Sequence, residues 1–254
     1  MLQDIDKASD VQIYPLGMRY AMDDRVFHYA KAGGTLNTDV GAKNALPQMF
    51  GYSPVHAALI GAKTVVIDVI AGAGKGGDGV IALNELAGGY MNIFTHELIH
   101  PPTSWTINRK IVTNTPIAGA EAMTVTIDKP LPVALTGGNT MHAEGIASIY
   151  QNIQSGSPVA IPFMARMPVV GFPTVYATIG QFLWLQTWGP LWGAPVGGGG
   201  YGDGDNNRLV VFTAAGNLDD YDAALPALQH AGFVLCNAFG GGPGVAIFIL
   251  QLSP

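Results

Sequence analysis

Charged side chains are scarce in this sequence. They make up 12% of its 254 residues, whereas a soluble domain usually carries about 25%. The formal net charge is −6, so most of the surface would repel phosphates, and the composition disfavours nucleic acid as a partner. Because 48% of the residues are hydrophobic, the chain still has ample material for a core, which argues against wholesale disorder.

Cysteine is nearly absent as well. Cys236 is the only one in the chain, which excludes an internal disulfide and a cysteine zinc cluster. It lies in the apolar run 232–237, where we expect it to pack in a strand rather than to act as a reactive thiol.

Long uninterrupted apolar segments are missing too. No charged residue occurs from Met167 to Gly202, but prolines interrupt this stretch four times. No run therefore approaches the roughly 18 residues that a membrane-spanning helix needs. The first seven residues have neither the basic nor the apolar region of a signal peptide. We expect no membrane partner.

Turn-forming residues, in contrast, are abundant. The chain has 34 glycines and 17 prolines, roughly a fifth of all positions against about 12% in average usage. Such a composition favours many short strands over long helices. It predicts an all-β protein of antiparallel barrel or sandwich modules, with an extended N-terminal arm and very little helix.

Three parts can be separated along the chain. Residues 1–55 are rich in turn signals, and two strand-like runs, 18–22 and 25–30, flank Asp23 and Asp24 as in a small hairpin. Because a two-stranded hairpin is only marginally stable alone, this arm is expected to fold against the remainder of the chain or against another subunit.

Two β modules are predicted after the arm, over residues 56–150 and 151–254. In the first module no stretch of helix length separates the strands, which favours antiparallel pairing. The predicted strands are 63–71, 88–95, 105–112 and 123–128 in the first module, and 180–187, 208–213, 232–236 and 245–251 in the second.

The segment His96-Glu-Leu-Ile-His100 matches the zinc-peptidase pattern H-E-x-x-H. In that mechanism two histidines one helical turn apart bind zinc, and the glutamate activates the metal-bound water. The motif therefore requires a helix, but a strand-like run precedes it and Pro101 and Pro102 follow it at once. The prolines disfavour helical backbone at His100, so a strand end with a polar loop is preferred, and the peptidase stays a remote alternative.

Two glycine-rich segments also resemble ligand loops. Residues 71–79 follow a strand, but Gly76 stands where a phosphate loop needs a hydroxyl, and no helix-forming run comes after it. Asp203 and Asp205 lie in a second such loop that lacks the terminal glutamate of a calcium-binding EF-hand. No nucleophile motif is found either, so we expect neither an enzyme nor a cofactor.

The segment 182–192 contains three of the four tryptophans. In a strand, Phe182, Trp184, Gln186 and Trp188 would share one face. A core strand, a subunit interface and a surface that stacks on sugar rings all fit this pattern, since interfaces are rich in aromatic residues and poor in charge. The candidate assembly interface consists of Phe182, Trp184, Trp188, Trp192, Tyr201, Tyr14, Phe27 and Tyr29.

Several phrases, spread over most of the chain and in consistent order, resemble virion structural proteins of tailed bacteriophages. They are Pro15-Leu-Gly-Met-Arg-Tyr20, residues 24–34, Ala87-Gly-Gly-Tyr-Met-Asn-Ile93, Ile111-Val-Thr-Asn-Thr-Pro116, residues 127–136, residues 182–190 and Gln229-His-Ala-Gly-Phe-Val234. The resemblance implies a head-associated role in the virion, after assembly in the host bacterial cytoplasm.

The resemblance and the composition lead to one expectation of function. We expect a capsid decoration (cement) protein that binds the major capsid protein and forms a homo-oligomer, with a trimer suiting the local symmetry of an icosahedral shell. A tail or head-fibre component with a glycan-binding role is the alternative within the virion. The H-E-x-x-H zinc peptidase is the alternative from a different class.

Overall fold

The protein is all-β, which confirms the predicted fold class. The computed structural model describes residues 3–44, 48–69, 80–95, 106–155, 167–193, 208–221, 228–236 and 247–253, without the side chains of residues 139, 140 and 236. Within these ranges no helix occurs. The strands are β1 (Arg19–Met22), β2 (Arg25–Lys31), β3 (Ala42–Asn44), β4 (Met49–Val55), β5 (Thr64–Val69), β6 (Tyr90–Thr95), β7 (Thr106–Asn114), β8 (Glu121–Ile127), β9 (Gly138–Ile146), β10 (Ile153–Ser155), β11 (Val169–Pro173), β12 (Phe182–Leu191), β13 (Leu209–Phe212), β14 (Leu218–Asp220), β15 (Gln229–Cys236) and β16 (Ile247–Gln251).

The chain divides into two compact units. Leu46–Ile149 forms the first, named the barrel unit here, and Met1–Ala45 together with Tyr150–Pro254 forms the second, named the sheet unit. The sequence predicted a separate arm over 1–55 followed by modules over 56–150 and 151–254. In the structure the N-terminal residues belong to the same unit as the C-terminal residues, because β2 and β3 pair with strands from the end of the chain.

The barrel unit closes six strands in the order β4-β5-β8-β7-β6-β9, with β9 pairing with β4. Along these strands, side chains alternate between the interior and the exterior of the barrel. In β5, Val65, Ile67 and Val69 are buried while Thr64 and Asp68 point outward, and β8 alternates in the same way. Residues directly opposite one another share a face of the sheet, so the two strands fill one core.

Two residues fix the segment before β6. Asn114 is buried at the end of β7, where its Nδ2 donates to the carbonyl oxygens of Ala82 and Thr115, each at 2.9 Å. Its Oδ1 accepts from the Leu86 N–H, also at 2.9 Å. At Gly89, a Cβ would lie 1.9 Å from the Ile146 carbonyl oxygen, so the chain crosses the end of β9 at a distance that only glycine permits.

The sheet unit is built around β12. Ten strands form one antiparallel sheet in the order β10-β3-β11-β12-β16-β15-β13-β14, with β2 added to β12 and β1 to β2. The predicted hairpin is confirmed as β1 and β2, with Met22 opposite Arg25. The sheet curls, since a bridge joins Ala32 to Ile153 and the Gly41 N–H donates to the Gly216 carbonyl at 2.9 Å.

Curling gives the sheet unit separate cores on the two faces of β11 and β12. One core contains Val170, Leu183 and Leu185, whereas Phe172 packs with Phe248 in another. Adjacent residues of these two strands therefore point into different cores. This burial on both faces explains why the segment 167–193 carries no charge.

Candidate functional site

An apolar surface covers the side of β12, β16, β15 and β13 that faces away from the core. Pro190, Ile249, Phe233 and Leu209 lie directly opposite one another across these four strands. Cross-strand partners share a face, so their side chains form one continuous row.

A second row lies beside the first. Trp192 follows Pro190 by two residues, and Ile247 precedes Ile249 by two on β16. Leu235 follows Phe233 by two on β15, at a register shift where Ile247 pairs with Cys236. We name the two rows together the outer face. It consists of Pro190, Trp192, Leu209, Phe233, Leu235, Ile247 and Ile249.

The outer face is apolar, uncharged and accessible. Five of its side chains are between 38% and 56% exposed, which at about 200 Å² per large side chain amounts to roughly 400–500 Å² of surface. The largest apolar patch on a typical monomer is about 300–600 Å² and is often functional. The outer face is therefore as large as apolar patches that serve binding in other monomeric proteins.

Only part of this face can be predicted from the sequence. Trp188 and Trp192 were predicted interface residues, and both lie on this side of the sheet, Trp188 half-buried beside the first row and Trp192 46% exposed. Phe233 and Ile247 were assigned only to predicted strands. Their role could have been predicted because β15 and β16 are apolar at successive positions. A strand with this pattern carries apolar side chains on both faces of the sheet, and both faces are expected to be covered.

Most of the other predicted interface residues lie inside the molecule. Phe27, Tyr29, Phe182 and Trp184 are buried in one cluster, with Tyr14 packed against it. These four side chains are therefore not available to a second molecule in this structure. Tyr201 lies outside the described residues.

The cluster is held by close ring contacts. Trp184 lies 5.1 Å from Tyr29 and 5.4 Å from Tyr14, measured between ring centroids, with tilted or edge-on geometry. Aromatic pairs prefer such offset geometry, which adds about 0.5–1.5 kcal/mol per pair beyond burial. The cluster thus fastens the N-terminal segment to β2 and β12 of its own chain.

The predicted alternation along β12 stops at Gln186. A register shift lies between Gln186 and Trp188, so that Gln186 pairs with Phe27 but Trp188 pairs with Val26. This irregularity separates Trp188 from the face of Phe182 and Trp184. The first half of β12 is therefore core, and the second half supplies the outer face.

Two titratable side chains of the sheet unit, His28 and Tyr150, pack against each other in its interior. His28 is buried, its Nδ1 lies 3.0 Å from the Thr187 hydroxyl, and its ring stacks on that of Tyr150 at 4.9 Å. Burial, helped by the charge of Arg19, lowers the pKa of His28, and burial raises the pKa of Tyr150 to about 12. Both side chains are therefore neutral at pH 7 and pack as a neutral pair.

Lys43 is a buried cation on β3. Its Nζ donates to the Ala214 carbonyl at 2.7 Å, and burial lowers its pKa. This hydrogen bond joins β3 to the loop before β14, next to the Gly41 contact that curls the sheet. Lys43 thus contributes to the architecture of the sheet.

The structure does not describe the segments that resemble a zinc-peptidase motif, a phosphate loop or a calcium loop. His96, Glu97 and His100, the glycine-rich segment 71–79, and Asp203 and Asp205 all fall outside the described residues. Among the residues that are described, no group of three or more His, Cys, Asp or Glu side chains could hold a metal ion. The same part of the chain contains no helix that is long and apolar enough to cross a membrane.

Comparison with protein-family models, with curated proteins and with solved structures found no match in any of the three.

Proposed function

We propose that this chain is a structural protein of a tailed-bacteriophage virion and acts as a capsid decoration protein, with no enzymatic role. The observation that carries the proposal is the outer face, an accessible apolar surface without charged residues on the sheet unit. Assembly interfaces are depleted of charged residues in the same way and enriched in aromatic side chains such as Trp192. The segments that resemble virion proteins support the same role.

The size of the outer face favours a repetitive partner. A stable pair of proteins buries about 800 Å² on each partner, whereas the outer face offers roughly 400–500 Å² by the same area measure. A single contact of this size is weak, but many copies attached to one shell reinforce one another. The proposed partners are the major capsid protein and sister copies of this chain, with a trimer suiting the local three-fold symmetry of a capsid.

The proposed mechanism is clamping of the shell. The outer face packs against capsid subunits, and the added buried area resists the outward pressure of packaged DNA. Because the N-terminal cluster holds residues 3–31 to their own unit, the clamp relies on the outer face rather than on an arm that reaches a neighbour.

The test is binding to empty shells of the major capsid protein encoded in the same genome. We expect wild-type protein to co-sediment with the shells and Leu235→Lys to bind at least tenfold more weakly, because tenfold corresponds to about 1.4 kcal/mol and burying an unpaired charge costs more than that. Leu83→Lys is the matched control, since Leu83 is an exposed leucine of the barrel unit that is at least as accessible as Leu235. Absence of wild-type binding, or equal binding by Leu235→Lys, would refute the proposal.

A further inference from the structure

The sheet unit contains a cavity of about 200 Å³ that is separate from the outer face. Its polar lining comes from Asp6, Arg25, Thr38, Thr174 and Gln186, and its apolar walls include Phe27. These residues come from the N-terminal segment, β2, β12 and the loops after β2 and β11, all of which belong to the same unit. The cavity is therefore a feature of one folded body.

Gln186 presents a fixed acceptor to this cavity. The side chain is only 4% exposed, and its Nε2 donates to the carbonyl oxygens of Trp188 at 3.2 Å and Pro190 at 2.9 Å. Both amide hydrogens are thereby used, which sets the orientation of the amide. Within the described ranges no donor reaches the Oε1 atom, and this atom is not one of the fully buried polar atoms without a partner, so it is an acceptor that a ligand in the cavity can reach.

Arg25 supplies donors at the same place. Its guanidinium lies over the Phe27 ring, 5.7 Å from the centroid, and this contact restrains the side chain. As far as the structure describes the chain, Arg25 makes no ion pair and donates no hydrogen bond, and Asp6 is likewise unpaired. The cavity thus offers unused donors and unused acceptors side by side.

The balance of charge indicates a neutral ligand. One guanidinium and one carboxylate line the cavity, so a simple anion meets Asp6 and a simple cation meets Arg25. A hydroxyl group both donates and accepts, and it can satisfy Arg25 and Gln186 from neighbouring carbon atoms. Polyhydroxylated molecules match this lining better than ions do.

The surrounding strands argue against an added peptide strand. At Gln186 the backbone is paired on both sides, with Phe27 of β2 and Phe172 of β11. Peptides that bind by strand addition need an exposed sheet edge, and none is present beside this part of β12. Recognition in the cavity therefore depends on side chains.

From these observations we propose that the cavity binds one monosaccharide unit of a glycan. The volume equals that of about seven liquid waters at roughly 30 Å³ each, which is the size of a single pyranose with its hydroxyls. Arg25 donates to one hydroxyl, Gln186 Oε1 and Asp6 accept from its neighbours, and the carbon face of the ring lies against the apolar wall. The site is distinct from the outer face, so the particle would carry a glycan-binding surface in addition to its contact with the shell.

The experiment uses the full chain without shells. Saturation-transfer NMR and titration are carried out with the methyl glycosides of glucose, galactose, mannose and N-acetylglucosamine. We expect at least one glycoside to bind, and Arg25→Ala to weaken that binding at least tenfold. Arg19→Ala removes the same charge from an exposed position of the same hairpin and is expected to bind as wild type does.

A second pair of variants keeps the test independent of folding. Asp6 and Thr38 are exposed, so Asp6→Ala and Thr38→Val preserve the sheet even if Arg25→Ala destabilises it. We expect Asp6→Ala to weaken binding severalfold. Binding of none of the four glycosides, or unchanged binding in Arg25→Ala and Asp6→Ala, would overturn the glycan site and leave the shell-binding proposal untouched.

Discussion

At the scale of single residues, Gln3 connects the start of the chain to the sheet. It is buried, its Oε1 accepts from the Tyr29 hydroxyl at 2.7 Å, and its Nε2 donates to the carbonyl oxygens of Phe182 at 2.9 Å and Lys7 at 2.8 Å. The Trp184 indole N–H also donates to the Gln3 carbonyl at 3.3 Å. Together these bonds join the first residues of the chain to β2 and β12.

Gln3→Ala is expected to lower the free energy of unfolding by about 1–3 kcal/mol, because the buried Tyr29 hydroxyl loses the acceptor for its proton. The Phe182 carbonyl still accepts from the Ser9 N–H. Urea denaturation followed by tryptophan fluorescence measures the change, since Trp184 lies in the same cluster. Gln12→Ala is the control. Gln12 is exposed and donates to the Tyr14 carbonyl, so its loss is expected to cost within about 0.5 kcal/mol. Equal losses for the two variants would contradict this account.

The sequence was enough to predict that Trp192 belongs to an interface, but not that Gln186 lines a cavity. Trp192 was found because aromatic side chains without nearby charge are typical of interfaces. Gln186 was expected only as one member of an aromatic strand face. Its role depends on the carbonyls of Trp188 and Pro190, which the chain brings to it only through the irregular backbone after Gln186.

At the scale of elements, the barrel requires the residue before β6 to pass very close to the end of β9. Gly89 lies against the backbone of Ile146 and Ala147, with no space for a methyl group. The neighbouring atoms are backbone atoms of β9 and the residue after it, so they cannot move aside as a flexible side chain can.

Gly89→Ala is therefore expected to destabilise the protein by about 1–3 kcal/mol, as overpacking does elsewhere. Gly51→Ala is the matched control in β4, where a Cβ would meet nothing within 4 Å. It is expected to be neutral or to stabilise by up to about 1 kcal/mol, because alanine restricts the unfolded chain. Thermal unfolding by circular dichroism compares the two, and a Gly89→Ala variant as stable as Gly51→Ala would show that the ends of the barrel are looser than described.

The positions of the strands could be predicted from the sequence more readily than the pairing between them. The β-branched, apolar run 63–71 predicted β5, and a hairpin between Met22 and Arg25 follows from local turn residues. The pairing of β2 with β12 joins residues more than 150 positions apart. No local pattern encodes such a contact, which is why the arm was predicted as a separate part.

At the scale of the whole molecule, the barrel unit is one continuous segment inserted into the sheet unit. The sheet unit is interrupted after Ala45 and resumes at Tyr150. On either side of the interruption, β3 and β10 are paired, with Asn44 opposite Ile153. The points where the chain leaves and re-enters the sheet are therefore neighbours.

Residues 46–149 are expected to fold as an isolated fragment, because every strand pair of the barrel lies within them. Dispersed amide signals in a proton–nitrogen NMR spectrum and one cooperative thermal transition would establish this. The complementary chain, with 46–149 replaced by a short glycine–serine linker, is expected to retain the tryptophan fluorescence of the sheet unit. A fragment with collapsed, undispersed signals would contradict the assignment of two independent units.

Because Asn44 and Ile153 are paired, this junction is a suitable insertion site for a foreign domain. A foreign domain whose own termini lie close together could be spliced between these two strands without changing the register of the sheet. If the sheet unit attaches to a shell, each particle would then display that domain in many copies. The same junction gives evolution a place to exchange one inserted unit for another while β3 and β10 stay paired.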